Sequence, residues 1–111
     1  MRDPLERLKD IIEAINNIER YAAKGRKAFE DDELIQVWIV HHFQIIGESA
    51  VNLGKDFQKG NPEILWSKII GMRNILVHEY FGLDLDEIWN SAVYDLPTLK
   101  KQIIKILETK K

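Results

Sequence analysis

The segment Arg73-Asn74-Ile75-Leu76-Val77-His78-Glu79-Tyr80 places an arginine, an asparagine, a histidine and a tyrosine at helical spacing. A guanidinium is a planar fork that matches phosphate oxygens two at a time. An imidazole gains and loses its proton near physiological pH. Together they are residue types that a site handling a phosphate group could use. At 100° per residue, Trp66, Ile69, Ile70, Leu76 and Val77 all fall within about 60° of Arg73, so the arginine sits in the middle of an apolar stripe. A permanently charged guanidinium is costly to bury without partners. Tyr80 lies on the same line two turns further on, and Asn74 and His78 share the neighbouring face as an i, i+4 pair. The residues alone leave two readings open. Arg73 snorkels or pairs with an acid and His78 is a satisfied core histidine, or the set lines a reactive wall.

The elements that must position this wall are all helical. Leu5, Leu8, Ile12, Ile15 and Ala22 recur at helical intervals behind Asp3-Pro4, which predicts a first helix from an Asp N-cap to about Gly25. Asp31-Asp32-Glu33 predicts the acidic start of a second, longer helix carrying Leu34, Val37, Trp38, His41, Ile45 and Leu53 to about Gly54. Gly47 lies inside it, where glycine costs ~1 kcal/mol relative to alanine. A close backbone approach by a neighbouring helix explains that choice. Lys55 to Gly60 reads as a loop. Asn61-Pro62 reads as N-cap and first turn of the third helix, which runs to about Tyr80 and is stopped by Gly82. Asp84-Leu85-Asp86-Glu87 is a capping pattern for a fourth helix. Pro97 opens a fifth, with Leu99, Ile103, Ile106 and Leu107. Short connections between long amphipathic helices predict an all-α antiparallel bundle.

Composition narrows the classes. The 111 residues suffice for one core, and 45 % hydrophobic against 31 % charged residues is an ordinary globular balance. With no cysteine, a disulfide framework and a thiolate zinc site are both excluded. The net charge of −2 argues against general polyanion binding, so any nucleic acid must be handled at a local site. The five lysines from Lys100 to Lys111 read as a solvated helix end. The N-terminus lacks the apolar region of a signal peptide, and no segment is long and apolar enough to span a bilayer. The expectation is a cytoplasmic protein with no membrane contact.

The stretch from Arg73 to Tyr80 reads R-x4-H-x-Y and resembles the signature of HepT toxins, a branch of the HEPN ribonuclease superfamily. Its approach (Pro62-Glu63-Ile64-Leu65-Trp66, then Ile69-Ile70-Gly71-Met72) resembles that family's too. So do its exit (Tyr80-Phe81-Gly82-Leu83-Asp84-Leu85-Asp86, then Ile88-Trp89), the block Ile45-Ile46-Gly47-Glu48 and Asp95-Leu96-Pro97. The resemblance implies a HEPN-type bundle of four to five helices over residues 1–111 as a single domain. It implies a homodimer with the two motif helices facing a shared cleft. It also implies an endoribonuclease that needs no metal and no cofactor. Its neutralising partner would be a minimal nucleotidyltransferase antitoxin of the MntA type, transferring AMP from ATP onto the tyrosine that maps to Tyr80.

On that resemblance, His78 is the candidate acid or base and Arg73 the candidate phosphate clamp in attack by a ribose 2′-OH. Asn74 is placed to hold the imidazole or the substrate. Glu48 is a supporting residue, either a buried partner for Arg73 or a member of the site. The dipole at the helix C-terminal end favours imidazolium, so acid and base roles for His78 both stay open. A competing reading makes the chain a noncatalytic substrate-binding adaptor of a minimal nucleotidyltransferase. Two further signals are assigned to structure. His41-His42 point about 100° apart with no carboxylate at i+4, and Asp84-x-Asp86 belongs to helix capping.

Overall fold

The computed structural model describes residues 3–78 and 84–109, with side chains up to residue 76 in the first stretch. Seven helices follow one another: α1 (Pro4–Ala22), α2 (Arg26–Asp31), α3 (Glu33–Leu53), α4 (Lys55–Gly60), α5 (Trp66–His78), α6 (Leu85–Asn90) and α7 (Leu96–Thr109). A π-helical turn, Ser91–Asp95, joins the last two without a loop. No strand occurs among the described residues. No helix there is long and apolar enough to cross a membrane.

The all-α expectation holds, and its caps explain where the helices begin. Asp3 accepts from the Leu5 amide, Asp32 from the Leu34 amide, and Asp84 from the amides of Asp86 and Glu87. Each of these caps satisfies an amide that the helix itself leaves open. The core forms where α1 lies along α3. Leu8, Ile11, Ile15 and Ile18 of α1 and Ile39 and Ile46 of α3 are essentially sealed from water. Each such side chain contributes roughly 1.5–3 kcal/mol by burial. Ile103 and Ile106 of α7 close the bundle from the other side.

Four boundaries differ from the expectation. The first helix ends at Ala22, and Gly25, at φ +99°, serves as the hinge into the unexpected short helix α2. The segment read as a loop after Gly54 is helix α4. Asn61-Pro62 does not open α5. Asn61 instead closes α4: its side-chain amide donates to Phe57 O, and its carbonyl accepts from the Ile64 amide and the Trp66 indole. That turn plants Ile64 in the core, so α5 starts only at Trp66. Finally, α7 begins at Leu96 rather than Pro97, because the π-helical turn delivers the chain already coiled.

Candidate phosphate-binding site

The site is made where α5 crosses α3. A β-carbon built on Gly47 would stand 2.1 Å from Arg73 Cβ and 2.6 Å from its Cγ. No side chain fits there, so the glycine in α3 is what allows the Arg73 backbone to come this close. The expected close approach at Gly47 is therefore observed, and the approaching residue is Arg73 itself.

From that crossing the arginine reaches outward over α3. Its Nε donates to Glu48 Oε1 at 2.8 Å, and Nη2 donates to the same oxygen. Nη1 donates to Asn74 Oδ1 at 2.7 Å. Among the described residues these contacts engage three of the five N–H groups of a guanidinium. The Arg73 side chain is 26 % exposed and that of Glu48 is 49 % exposed. The arginine is thus held on its stem by the crossing, oriented by two acceptors, and open to solvent at its head. Glu48 partners Arg73 as one reading expected, but at the surface rather than in the interior. Such a pair contributes at most about 1 kcal/mol to stability. Its effect is to fix a planar donor in one orientation.

Asn74 engages the guanidinium through its oxygen; the anticipated grip on the imidazole falls on a side chain outside the described residues. His78 is the last residue of α5, one turn beyond Asn74 on the same face by position, while its side chain lies outside the described residues. Tyr80 and the stop at Gly82 lie outside them as well. Ile75 and Val51, both more than two-fifths exposed, add apolar surface on the two helices that carry the site.

His41 and His42 do not join this site. His42 is buried, with Nδ1 against Trp38 O at 2.8 Å and its ring against the indole. Among the described residues, no three histidine, aspartate or glutamate side chains are grouped to hold a metal ion. Sequence reasoning passed over the cluster to which His42 belongs, formed with Tyr21, Trp38, Arg20 and Lys24. Its one visible signal was an exposed-face cation spacing on α1, Arg20 to Lys24, opposite an aromatic on α3.

A family model described as HepT-like, ribonuclease HepT-like, matches residues 11–106. The chain is similar to a Thermococcus cleftensis protein named "Probable ribonuclease HepT", with 37 % identity over 102 residues, covering 89 % of this chain and 91 % of that one. A Caldanaerobacter subterraneus subsp. tengcongensis protein named "Putative RNase" is 34 % identical over 112 aligned positions, covering both chains fully. A Methanocaldococcus jannaschii protein with the same designation is 31 % identical over 103, covering 92 % and 94 %. No solved structure gives a significant match.

Proposed function

Because this chain belongs to the HepT-like ribonuclease family, we propose that it is the toxin of a toxin–antitoxin pair, a single-domain endoribonuclease that cleaves RNA in the cytoplasm without a metal. The observation that carries this reading is the presentation of Arg73: packed against Gly47, oriented by Glu48 and Asn74, and about a quarter exposed, with three of its five N–H groups engaged among the described residues.

The chemistry uses the RNA's own 2′-OH. A base removes the 2′ proton, O2′ attacks phosphorus, and the P–O5′ bond breaks as an acid delivers a proton to O5′. The products are a 2′,3′-cyclic phosphate and a 5′-hydroxyl. Arg73 offsets the charge that develops on the phosphorane oxygens. His78 supplies one of the two proton transfers. The second comes from the symmetry-related copy in a homodimer that apposes two α5 helices, to which exposed Ile75 lends apolar surface. Control follows from Tyr80. A nucleotidyltransferase antitoxin of the MntA type catalyses attack of the tyrosine oxygen on the α-phosphorus of ATP, releasing pyrophosphate. The attached AMP sets a negative phosphate on the motif helix and competes with RNA for Arg73.

The test is expression of the wild type and of His78→Ala in bacteria without the partner. Growth arrest by the wild type alone, with cyclic-phosphate ends on the cleaved RNA, is the expected result. Equal tolerance of both refutes the nuclease. For the switch, incubation with ATP and the partner adds one or more AMP masses, and Tyr80→Phe abolishes the addition.

A further inference from the structure

The seam between α1 and α3 carries a cluster of aromatic rings with two cations beside it. The His42 ring lies 4.4 Å from the Trp38 indole, and Trp38 lies 5.1 Å from Tyr21. His41 adds an edge contact to His42 at 5.1 Å. The ladder is rigid. Trp38 Nε1 donates to Asn17 O at 2.8 Å, and His42 Nδ1 is fixed against Trp38 O. Its outer side is not sealed: Tyr21 and Trp38 are half-buried, and Arg20, Lys24 and His41 are exposed.

Two cations flank the rings, and Arg20, in the last turn of α1, also donates from Nη2 to Asn17 Oδ1 at 2.6 Å. Arg20 Cζ stands 6.0 Å above the indole centroid, and Lys24 Nζ stands 5.8 Å from the Tyr21 ring. Both distances are at the outer limit of cation–π attraction, so each cation is held near a ring without being locked onto it. Neither makes a salt bridge among the described residues, although the chain carries more acids than bases. Aromatic rings interleaved with cations that lack an acidic partner are the arrangement that binds unpaired nucleobases and their phosphates.

The ladder is also aligned with the candidate site. His41 and Glu48 are seven residues apart on α3, which puts them on one line about 10.5 Å apart. Trp38 lies nearly three turns from Glu48 by the same count. A strand with its scissile phosphate at Arg73 reaches the ladder within a few nucleotides by running along α3.

We propose that Arg20, Tyr21, Lys24, Trp38 and His41 form a secondary binding site for single-stranded RNA, which stacks unpaired bases beside the cleavage site. This rests on the ribonuclease reading only for the identity of the strand.

The test uses the full-length chain and a single-stranded RNA with 2′-O-methyl riboses, which cannot supply the attacking hydroxyl. Binding is measured across a salt series for the wild type, for Arg20→Ala/Lys24→Ala and for His41→Ala, with cleavage of ordinary RNA followed in parallel. The double variant should flatten the slope of log Kd against log salt by roughly 1.4, at about 0.7 per lost phosphate contact on a single strand. His41→Ala should weaken binding about tenfold at fixed salt, in line with loss of one stacked base. Cross-links from 4-thiouridine placed along the strand should map to the peptide containing Trp38 to His42. Wild-type slope and affinity in both variants, or cross-links confined to other peptides, overturn the site. If the wild type cleaves RNA while those results fail, the ribonuclease stands and the ladder falls. If the variants lose binding while the wild type cleaves nothing, the ladder stands and the nuclease falls.

Discussion

Replacing Gly47 by alanine probes the crossing on which Arg73 depends. In an open helix interior this change gains ~1 kcal/mol from helix propensity. Here the new β-carbon lies 2.1 Å from Arg73 Cβ, whereas ordinary contact begins near 3.4 Å. The helices must therefore separate by about 1.3 Å, since both atoms are fixed to backbone. Forcing extra volume into a packed contact costs typically 1–3 kcal/mol. The net expectation is a loss of roughly 0–2 kcal/mol, which lowers Tm by up to about 8 °C in a domain of this size. The effect on the site is larger. A shift of that size carries the 2.8 Å bond from Arg73 Nε to Glu48 beyond hydrogen-bonding range. Misplacing a catalytic group by 1 Å costs on the order of 10²-fold in rate.

Gly71→Ala is the matched control. It too lies inside a helix, α5, and a β-carbon there meets nothing within 4 Å. Thermal melting and RNA cleavage of the two variants are compared side by side. Gly71→Ala should match or exceed the wild-type Tm and cleave normally, while Gly47→Ala should melt lower and lose most of its cleavage. If Gly47→Ala gains stability as Gly71→Ala does and keeps its rate, the close crossing does not hold Arg73 in place.

Three further changes separate the contributions around this crossing. Arg73→Lys keeps the charge and loses the planar fork, so RNA cleavage should fall about 10²- to 10³-fold, with Tm within a few degrees of wild type by melting. Glu48→Gln keeps an acceptor oxygen but not its charge; stability should change by less than ~1 kcal/mol, and steady-state kinetics should show kcat down roughly tenfold with KM no higher. Asp84→Ala removes the acceptor for the amides of Asp86 and Glu87, which should cost about 1 kcal/mol in denaturant titration and leave the RNA affinity of the Arg20 and Lys24 face unchanged.

The bundle was legible because its caps and periodicities act over a few residues. Asp3, Asp32 and Asp84 each announce a helix start that the structure contains. Two of the misread boundaries share one physical cause. At Gly25 and at Asn61-Pro62 the same residue types that cap a helix also end its neighbour, and only tertiary contacts decide between the two. Ile64 is buried, and that burial turns the chain before Trp66 and delays α5 by four residues. The ladder of Tyr21, Trp38 and His42 was not legible, because its members come from two helices whose register a sequence does not print.

The anomaly of Arg73 resolves through Gly47. By periodicity the arginine sits in the apolar stripe of α5, a position that should have been filled by leucine if burial were its purpose. The stripe does pack inward, as Trp66 and Leu76 on either side of Arg73 are buried. At Arg73 itself the facing residue of α3 is a glycine, so the helices meet backbone to side-chain stem and leave no interior volume for a guanidinium. The stem is buried by the contact and the head is driven outward to Glu48 and Asn74. A snorkelling arginine on an ordinary stripe would choose among many rotamers and lose entropy on meeting a phosphate. Pinned at Cβ and Cγ by Gly47 and at its nitrogens by two acceptors, Arg73 has lost most of that freedom during folding. Phosphate binding then requires less ordering, and the glycine and arginine act as one device contributed by two helices.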